Sequence, residues 1–253
     1  MTNEIQTKRR TSCSTASRID ASLPRRSFIL GIGAIAVSGC VSTEPPPVLA
    51  TLPEPLPAPT PVVPPMYYAM PNERFPIPAV DITQLPPQFW RTEVDYPTNE
   101  KPGTLVVDTP GKYLYHVKAD GSAMRYGIGV GREGFAWAGQ AIMAYRREWP
   151  RWTPPDSMVS RQPELEPYSI ANGGMPPGLK NPLGARALYI HEDGKDTLYR
   201  IHGTPEAFSI GKAVSSGCIR LINQDVVHLH DEVRDGSRMV VIPDPTMKHL
   251  LVG

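Results

Sequence analysis

Two residues of this sequence have the types and the spacing for covalent chemistry, namely Cys218 and His202. Cys218 follows the small residues Ser215-Ser216-Gly217 and precedes an apolar run. His202 ends the run Leu198–Ile201, and 15 residues separate it from the cysteine. A thiol attacks well only as the thiolate, and a nearby imidazole can take its proton. The pair therefore indicates nucleophilic acyl transfer, with Cys218 as nucleophile and His202 as proton acceptor and donor.

The glycines beside these two residues favour the same chemistry. Gly217 lets the backbone approach a reacting carbonyl, so the N–H groups of Gly217 and Cys218 are candidates for binding the oxyanion. The backbone carbonyl of Gly203 is a candidate for orienting His202 through its other ring nitrogen. Between the two sites, Thr204-Pro205-Glu206 predicts the start of a short helix that Gly211 would end.

The cysteine content favours a reactive thiol over a structural disulfide. The three cysteines are Cys13, Cys40 and Cys218, and the first two lie in or at the end of a segment with the features of an export signal. Cys218 then has no partner for a disulfide, although a buried and inert thiol is the alternative.

The motifs around the two candidate residues resemble the L,D-transpeptidase catalytic domain of the YkuD type. That family carries a His-Gly pair, then about 15 residues later Ser/Thr-x-Gly-Cys, followed by Ile/Val-Arg and a nearby Asn. The matching positions here are His202-Gly203, Ser215-Ser216-Gly217-Cys218, Ile219-Arg220 and Asn223, with Asn181-Pro182-Leu183-Gly184 and Ala187–Ile190 upstream. Many members have a second histidine where this chain has Ser216, so His202 is the sole candidate base.

The resemblance implies a two-step acyl transfer on peptidoglycan stem peptides. Cys218 would attack the carbonyl that joins the third residue, a diamino acid, to a terminal D-alanine and form a thioester. The amine of a second stem peptide would then resolve it into a 3-3 crosslink. The acceptor of the acyl group is left open. It is a stem peptide, water, a free D-amino acid or the amine of an outer-membrane protein. The chemistry requires no metal or other cofactor, and the resemblance also implies acylation by carbapenems.

Three further motif residues are candidates for supporting the substrate or the loop. Arg220 has two open roles, either binding a carboxylate of the stem peptide or pairing with a nearby acid to hold the loop, and the second is favoured. Ser216 and Asn223 are expected to shape the loop through hydrogen bonds.

Two other functions stay open at this stage. One is an L,D-carboxypeptidase or amidase that uses the same cysteine and histidine with water as acceptor. The other is a non-catalytic lipoprotein that binds the wall. Nucleic acid is not an expected partner, because residues 41–253 hold 20 basic and 23 acidic side chains and no basic stripe.

The first 40 residues read as an export signal. Arg25-Arg26 precede the apolar run Phe28–Val37, which is too short to span a bilayer and resembles a twin-arginine signal, with a general secretory signal as the rival. Val37-Ser38-Gly39-Cys40 resembles a lipobox, so Cys40 is the predicted lipidation site, with ordinary cleavage as the alternative. These features predict a periplasmic lipoprotein of a Gram-negative bacterium, tethered to a membrane.

The remaining chain divides by composition. Residues 41–65 form a predicted linker, since Pro45–Pro65 contains 10 prolines and favours extended polyproline II. Residues 66–102 are predicted to be an arm that packs on the catalytic domain, which covers 103–243 and leaves 244–253 as a tail.

The pattern from Thr104 onward predicts a mainly β fold, a β-sandwich or mixed sheet with few short helices. The expected strands are Leu105–Val107, Tyr113–Val117, Arg125–Val130, Ile142–Arg146, Ala187–His191, Thr197–His202 and Met239–Ile242. Glu192-Asp193-Gly194-Lys195 predicts a hairpin that places His202 near a strand end.

Two segments between and after these strands carry separate expectations. The stretch Trp149–Lys180 is rich in Pro, Gly and aromatic residues, and the resemblance implies a flap over the substrate cleft; a surface loop anchored by tryptophans is the alternative. Asn223-Gln224-Asp225 is expected to cap a helix to about Val233. The histidines at 228 and 230 are interpreted as a solvated pair rather than metal ligands, because residues two apart do not share a helix face.

Overall fold

A computed structural model describes residues 62–131, 139–215 and 217–243. The predicted export signal, Cys40, most of the proline-rich linker, Ser216 and the tail lie outside the described residues. Expectations about those segments therefore stay predictions.

The described chain is built on one large mixed sheet. Its nine strands have the order β1-β4-β3-β2-β11-β6-β7-β8-β10, and β5 pairs with β9 in a small separate sheet. The bounds are β1 Thr92–Asp95, β2 Leu105–Asp108, β3 Tyr113–Val117, β4 Ser122–Gly127, β5 Val130–Gly131, β6 Gly139–Glu148, β7 Arg186–Glu192, β8 Lys195–Thr204, β9 Ala213–Ser215, β10 Ile219–Ile222 and β11 Ser237–Ile242. The mainly β fold class is thereby confirmed.

The two ends of the large sheet contribute to one main core cluster. Buried residues from β3 and β4, such as Leu114 and Tyr126, share one cluster with Ile219 and Leu221 of β10 at the far end of the strand order. Backbone hydrogen bonds between Gly129 and Arg220, of 2.9 and 2.8 Å, bring the segment after β4 against the outer edge of β10. The strand that follows Cys218 is therefore held on both sides.

The helix that covers this core is α2, Asn223–Glu232. Its apolar residues Val226 and Leu229 are three positions apart, share one helix face and are fully buried in the cluster. The expectation that Asn223 caps the helix is wrong, because Asn223 is its first residue and its side chain accepts a hydrogen bond from Ala185 N instead.

Two more sequence expectations are corrected by the fold. The strand expected at Arg125–Val130 begins earlier and ends at Gly127, where the chain leaves β4 to meet β10. The short helix expected after Thr204 is only a 3-10 turn at Ala207–Ser209, one turn long. The chain returns to an extended conformation at Ile210, which ends the turn.

The histidines of α2 are also less exposed than expected. His228 Nδ1 lies 2.9 Å from the Tyr126 hydroxyl, and burial lowers its pKa. The His230 side chain is 12% exposed and contacts Asp231. The interpretation as a solvated pair is therefore wrong.

The predicted arm contributes to both the sheet and the packing. Its strand β1 pairs with β4 at the sheet edge, which the sequence did not indicate. Tyr67 and Leu85 of the arm are fully buried in a second cluster with Ile210 and Ile222. The arm therefore packs directly behind β10.

Candidate active site

His202 lies near the end of β8, where the predicted hairpin places it. The hairpin with β7 turns through Asp193 and Gly194, whose φ angles of 49° and 75° suit a tight two-residue turn. His202 is buried, and its Nδ1 lies 2.9 Å from the carbonyl oxygen of Gly203. Because a carbonyl oxygen only accepts, Nδ1 carries the proton and Nε2 keeps a free lone pair. This tautomer is the one that a general base requires.

The carbonyl of Gly203 is fixed by close packing around its own residue. A Cβ at this position would lie 2.3 Å from Oδ1 of Asn223 and 2.9 Å from Val226. The same Asn223 oxygen accepts the hydrogen bond from Ala185 N at 3.0 Å. Asn223 therefore joins the start of β7, the end of β8 and α2 at one point behind the histidine.

Cys218 directly precedes β10, and the strand register brings it beside β8. In the parallel pair, Ile219 lies opposite Ile201 and Arg220 opposite His202. Continued by one residue, this register places Cys218 beside Arg200, in agreement with a backbone hydrogen bond from Arg200 to the thiol. Because side chains alternate between faces, Arg200 and His202 lie on one face of β8. The fold thus places one candidate catalytic residue within β8 and the other directly before the neighbouring strand β10.

The turn before the cysteine requires glycine at position 217. Gly217 has φ 122°, and a Cβ there would lie 2.5 Å from the ring of Tyr199. From the other side, a Cβ on Gly131 would lie 2.7 Å from Gly217 N. The turn that carries the candidate oxyanion N–H groups is therefore packed between Tyr199 and β5.

The site holds both candidate catalytic groups in their neutral forms. Burial lowers the pKa of His202 to about 4, with Arg220 lowering it further and the Gly203 hydrogen bond opposing the shift. Burial raises the pKa of the Cys218 thiol, against smaller lowering contributions from Arg200 and Arg220. At neutral pH the resting pair is thus a thiol and a neutral imidazole, which can exchange a proton as charge passes to a substrate.

A groove of about 450 Å³ opens beside Cys218. One wall is Tyr189, Leu198, Tyr199 and Arg200, and the other comes from residues 151–158 of the stretch that the sequence marked as a flap or a surface loop. Within that stretch, Trp152 and Met175 pair through backbone hydrogen bonds of 3.0 and 2.7 Å. It also contains α1, Asp156–Arg161, and a 3-10 helix, Pro163–Tyr168. This arrangement agrees with a flap that borders the cleft.

Several lining residues of this groove were missed by the sequence reasoning. Arg200 forms a two-point ion pair with Asp196 at 2.7 and 2.8 Å and lies over the ring of Tyr189. Leu198 has φ 62° at an irregularity in the β7–β8 register and is 67% exposed. A branched residue in this conformation is uncommon, and such outliers concentrate at functional sites.

Arg220, for which two roles were open, contacts an acid in the structure. Its Nη1 lies 3.0 Å from Glu206 Oε2, in the loop between β8 and β9. Both side chains are partly exposed, so the pair contributes little to stability by itself. The contact is the pairing with a nearby acid that the sequence favoured, and the role of this pair in holding the loop stays a prediction.

Neither a metal cluster nor a membrane-spanning helix occurs in the described part of the chain. Within 62–131, 139–215 and 217–243, no group of three or more His, Cys, Asp or Glu side chains is arranged to hold a metal ion. No helix in the same ranges has the length and apolar character to cross a membrane.

Comparison with known proteins assigns the chain to a family. The sequence model described as YkuD, L,D-transpeptidase catalytic domain, matches residues 102–242, more than half of the chain. The chain therefore belongs to the YkuD family of L,D-transpeptidase catalytic domains.

Individual relatives share this region. The protein described as Probable L,D-transpeptidase ErfK/SrfK of Escherichia coli strain K12 is 34% identical over 144 residues, which cover 56% of this chain and 44% of that relative. The chain thus matches less than half the length of this curated relative.

The chain is also similar to solved structures, with TM-scores below 0.5. A crystal structure of a Probable carnitine operon oxidoreductase caia from Brucella melitensis is 41% identical, covering 64% of this chain and 99% of that one, with a TM-score of 0.44. L,D-transpeptidase 3 from Mycobacterium tuberculosis is 16% identical, covering 55% of this chain and 60% of that one, with a TM-score of 0.40.

Proposed function

We propose that the protein is a peptidoglycan L,D-transpeptidase that acts through a thioester on Cys218. The observation that carries this proposal is the tautomer of His202, whose Nδ1–H donates to Gly203 O and leaves Nε2 free on the strand beside the cysteine. Family membership supplies the reaction class. The groove beside Cys218 has room for a peptide.

The first step transfers the acyl group to sulfur. As Cys218 Sγ attacks the carbonyl of the third residue of a tetrapeptide stem, its proton passes to His202 Nε2. The N–H groups of Gly217 and Cys218 stabilise the oxyanion. Cleavage of the C–N bond expels D-alanine, which takes the proton from His202, and a thioester remains.

The second step transfers the acyl group to an amine. The side-chain amine of another stem peptide attacks the thioester, His202 accepts its proton, and the cleaved sulfur regains a proton from His202. The product is a 3-3 crosslink, and an outer-membrane protein's amine in place of the stem amine would attach that protein to the wall. Water as acceptor would instead give a tripeptide.

The export of the enzyme belongs to the same proposal. Its substrate lies outside the cytoplasm, which fits the twin arginines and the lipobox ending at Cys40 in the sequence. We place the protein in the periplasm, tethered through a lipid on Cys40. Labelling of cells with a fatty-acid analogue should mark the wild type and lose the mark in Cys40→Ser, whereas equal labelling would contradict the tether.

Incubation of the purified protein with tetrapeptide muropeptides tests the activity directly. Crosslinked dimers together with free D-alanine are the expected products. Tripeptide alone would make the protein a carboxypeptidase, and unchanged substrate with retained binding would make it a wall-binding protein. Muropeptide profiling of a strain lacking the protein would then identify the acceptor.

A further inference from the structure

The flap, residues 149–180, leaves the sheet through an unusual residue. Trp149 follows β6 directly, has φ 41° and is only 3% exposed. A bulky residue keeps such a conformation only where the surroundings impose it. The contacts of Trp149 therefore decide the path along which the flap departs toward the groove.

Those contacts come largely from the arm. The Trp149 indole Nε1 donates to Glu73 Oε2 at 2.8 Å, and the Phe75 ring meets the indole edge-on at a centroid distance of 4.9 Å. On the backbone side, Trp149 N donates to Ala185 O at 2.7 Å. The first residue of the flap is thus held between the arm and the start of β7.

Glu73 is itself fixed by a second partner. Arg186, the first residue of β7, donates from Nη2 to Oε1 at 2.8 Å and from Nη1 to Oε2 at 3.0 Å. The two side chains are 14% and 6% exposed, so water competes little for either one. The hydrogen bond from Arg186 is the main reason that the pKa of Glu73 is lowered, and the carboxylate is ionised at neutral pH.

The arm presents this carboxylate from a closed loop. Met70 and Ile77 pair through two backbone hydrogen bonds of 2.8 and 3.1 Å, and Glu73 lies between them. Ile77 and Trp149 share a small buried cluster with Ala185 and Val227. The loop is therefore anchored before it meets the flap, although it lies outside the residues 102–242 that match the family.

We infer that Glu73 is a positioning residue for the flap, and that through Trp149 it sets how tightly the groove beside Cys218 holds its peptide donor. The inference rests on the proposed function for the identity of the donor. It makes the arm a determinant of substrate affinity rather than a passive support. The chemical step stays with Cys218 and His202.

Limited proteolysis tests the positioning without any substrate. Arg161 is an exposed trypsin site inside the flap. Glu73→Gln keeps the size of the side chain but replaces an acceptor oxygen with an amide donor, so we expect roughly tenfold faster cleavage after Arg161. Glu93→Gln is the matched control, because Glu93 lies in the same arm and pairs with Lys118 away from the flap. Unchanged cleavage in Glu73→Gln would overturn the inference.

Steady-state kinetics test the consequence for the donor. We expect Glu73→Gln to raise KM for the tetrapeptide about tenfold while kcat changes less than about threefold. Faster flap cleavage with an unaltered KM would also overturn the inference. Trp149→Phe, which removes the indole N–H donor to Glu73 together with part of the ring that packs against Phe75, should reproduce both effects if Glu73→Gln folds poorly. If the wild type forms no product, the proposed function fails, while the proteolysis still decides whether Glu73 fixes the flap.

Discussion

Arg220 lies directly opposite His202 in the parallel pairing of β10 with β8. This register determines the geometry of the site, because Cys218 immediately precedes β10 and His202 lies within β8. A shift by one residue would turn either side chain to the other face of the sheet. The backbone bonds of Arg220 to Gly129 hold β10 from its other edge. The candidate nucleophile and the candidate base are therefore aligned by the sheet itself.

The neutral imidazole of His202 predicts an unusual pH dependence. With its pKa near 4 in the folded protein, His202 stays able to accept a proton well below pH 6.5. We expect kcat/KM to hold as the pH falls from 7 to about 5 and to decrease only near pH 4. Initial rates between pH 3.5 and 8 provide the measurement. A decrease centred near 6.5 would show that the ring is not buried as described.

Two variants refine this pH test. Arg220→Gln removes a cation that lowers the pKa of His202, so the acidic decrease of kcat/KM should shift to higher pH. His202→Gln should reduce kcat by about 10²- to 10⁴-fold, the usual contribution of a positioned base.

Replacement of Gly203 by alanine should destabilise the protein through contact with Asn223. The added Cβ would lie 2.3 Å from the Asn223 oxygen, and such overpacking costs about 1–3 kcal/mol. The double variant Gly203→Ala/Asn223→Ala should lose about 1 kcal/mol less unfolding free energy than the two single variants lose in sum, because the two residues are in contact. Urea unfolding provides the free energies.

Gly194→Ala is a suitable control for this pair. Gly194 has φ 75°, but a Cβ added there would have no other atom within 4 Å. The loss of stability in Gly194→Ala therefore reflects backbone strain alone. Additive losses for Gly203→Ala and Asn223→Ala would contradict the contact that fixes the Gly203 carbonyl.

The buried carboxyl of Asp225 predicts a stability that falls as pH rises. Burial raises its pKa to about 7, against the lowering influence of Arg91 and of the hydrogen bond from Tyr67. Between about pH 4 and 7 the folded state thus keeps a proton that the unfolded state has lost. Stability decreases across this window by up to about 1.4 kcal/mol per pH unit from this group.

Comparison with Asp225→Asn isolates that contribution. The buried His202 acts in the opposite sense, since its folded pKa lies below the unfolded value and its contribution is lost as the pH falls from about 6.5 to 4. As the pH rises from 4 to 7, the wild type should lose unfolding free energy relative to Asp225→Asn, because the asparagine does not titrate. Parallel stability curves would contradict the raised pKa.

Those parts of the candidate site that are formed by residues close together in the chain could be predicted from local sequence patterns. The Asp193-Gly194 turn predicted the hairpin that places His202, and the structure has the expected contact of His202 with the Gly203 carbonyl. Both depend on residues adjacent in the chain, where turn chemistry and strand alternation are readable.

Contacts between distant segments could not be read in this way. Glu73 meets Arg186 across 113 positions of sequence, and no local pattern distinguishes it from any other glutamate of the arm. In the sequence, Arg200 is only one residue of a predicted strand. Its position beside Cys218 follows from the register of β10 with β8. The segment after Pro205 was predicted to be a short helix and is a 3-10 turn. The residues that suggested a helix start, such as Thr204, stabilise a tight turn equally well.

The central claim is that Cys218 is the acylated nucleophile, and intact-mass analysis after incubation with a carbapenem tests it most directly. We expect wild type to gain the mass of one carbapenem, located by fragmentation on the peptide that contains Cys218. Cys218→Ala should gain nothing, and His202→Gln should react at least about 100-fold more slowly. An unmodified wild type, or the same adduct on Cys218→Ala, would contradict the account.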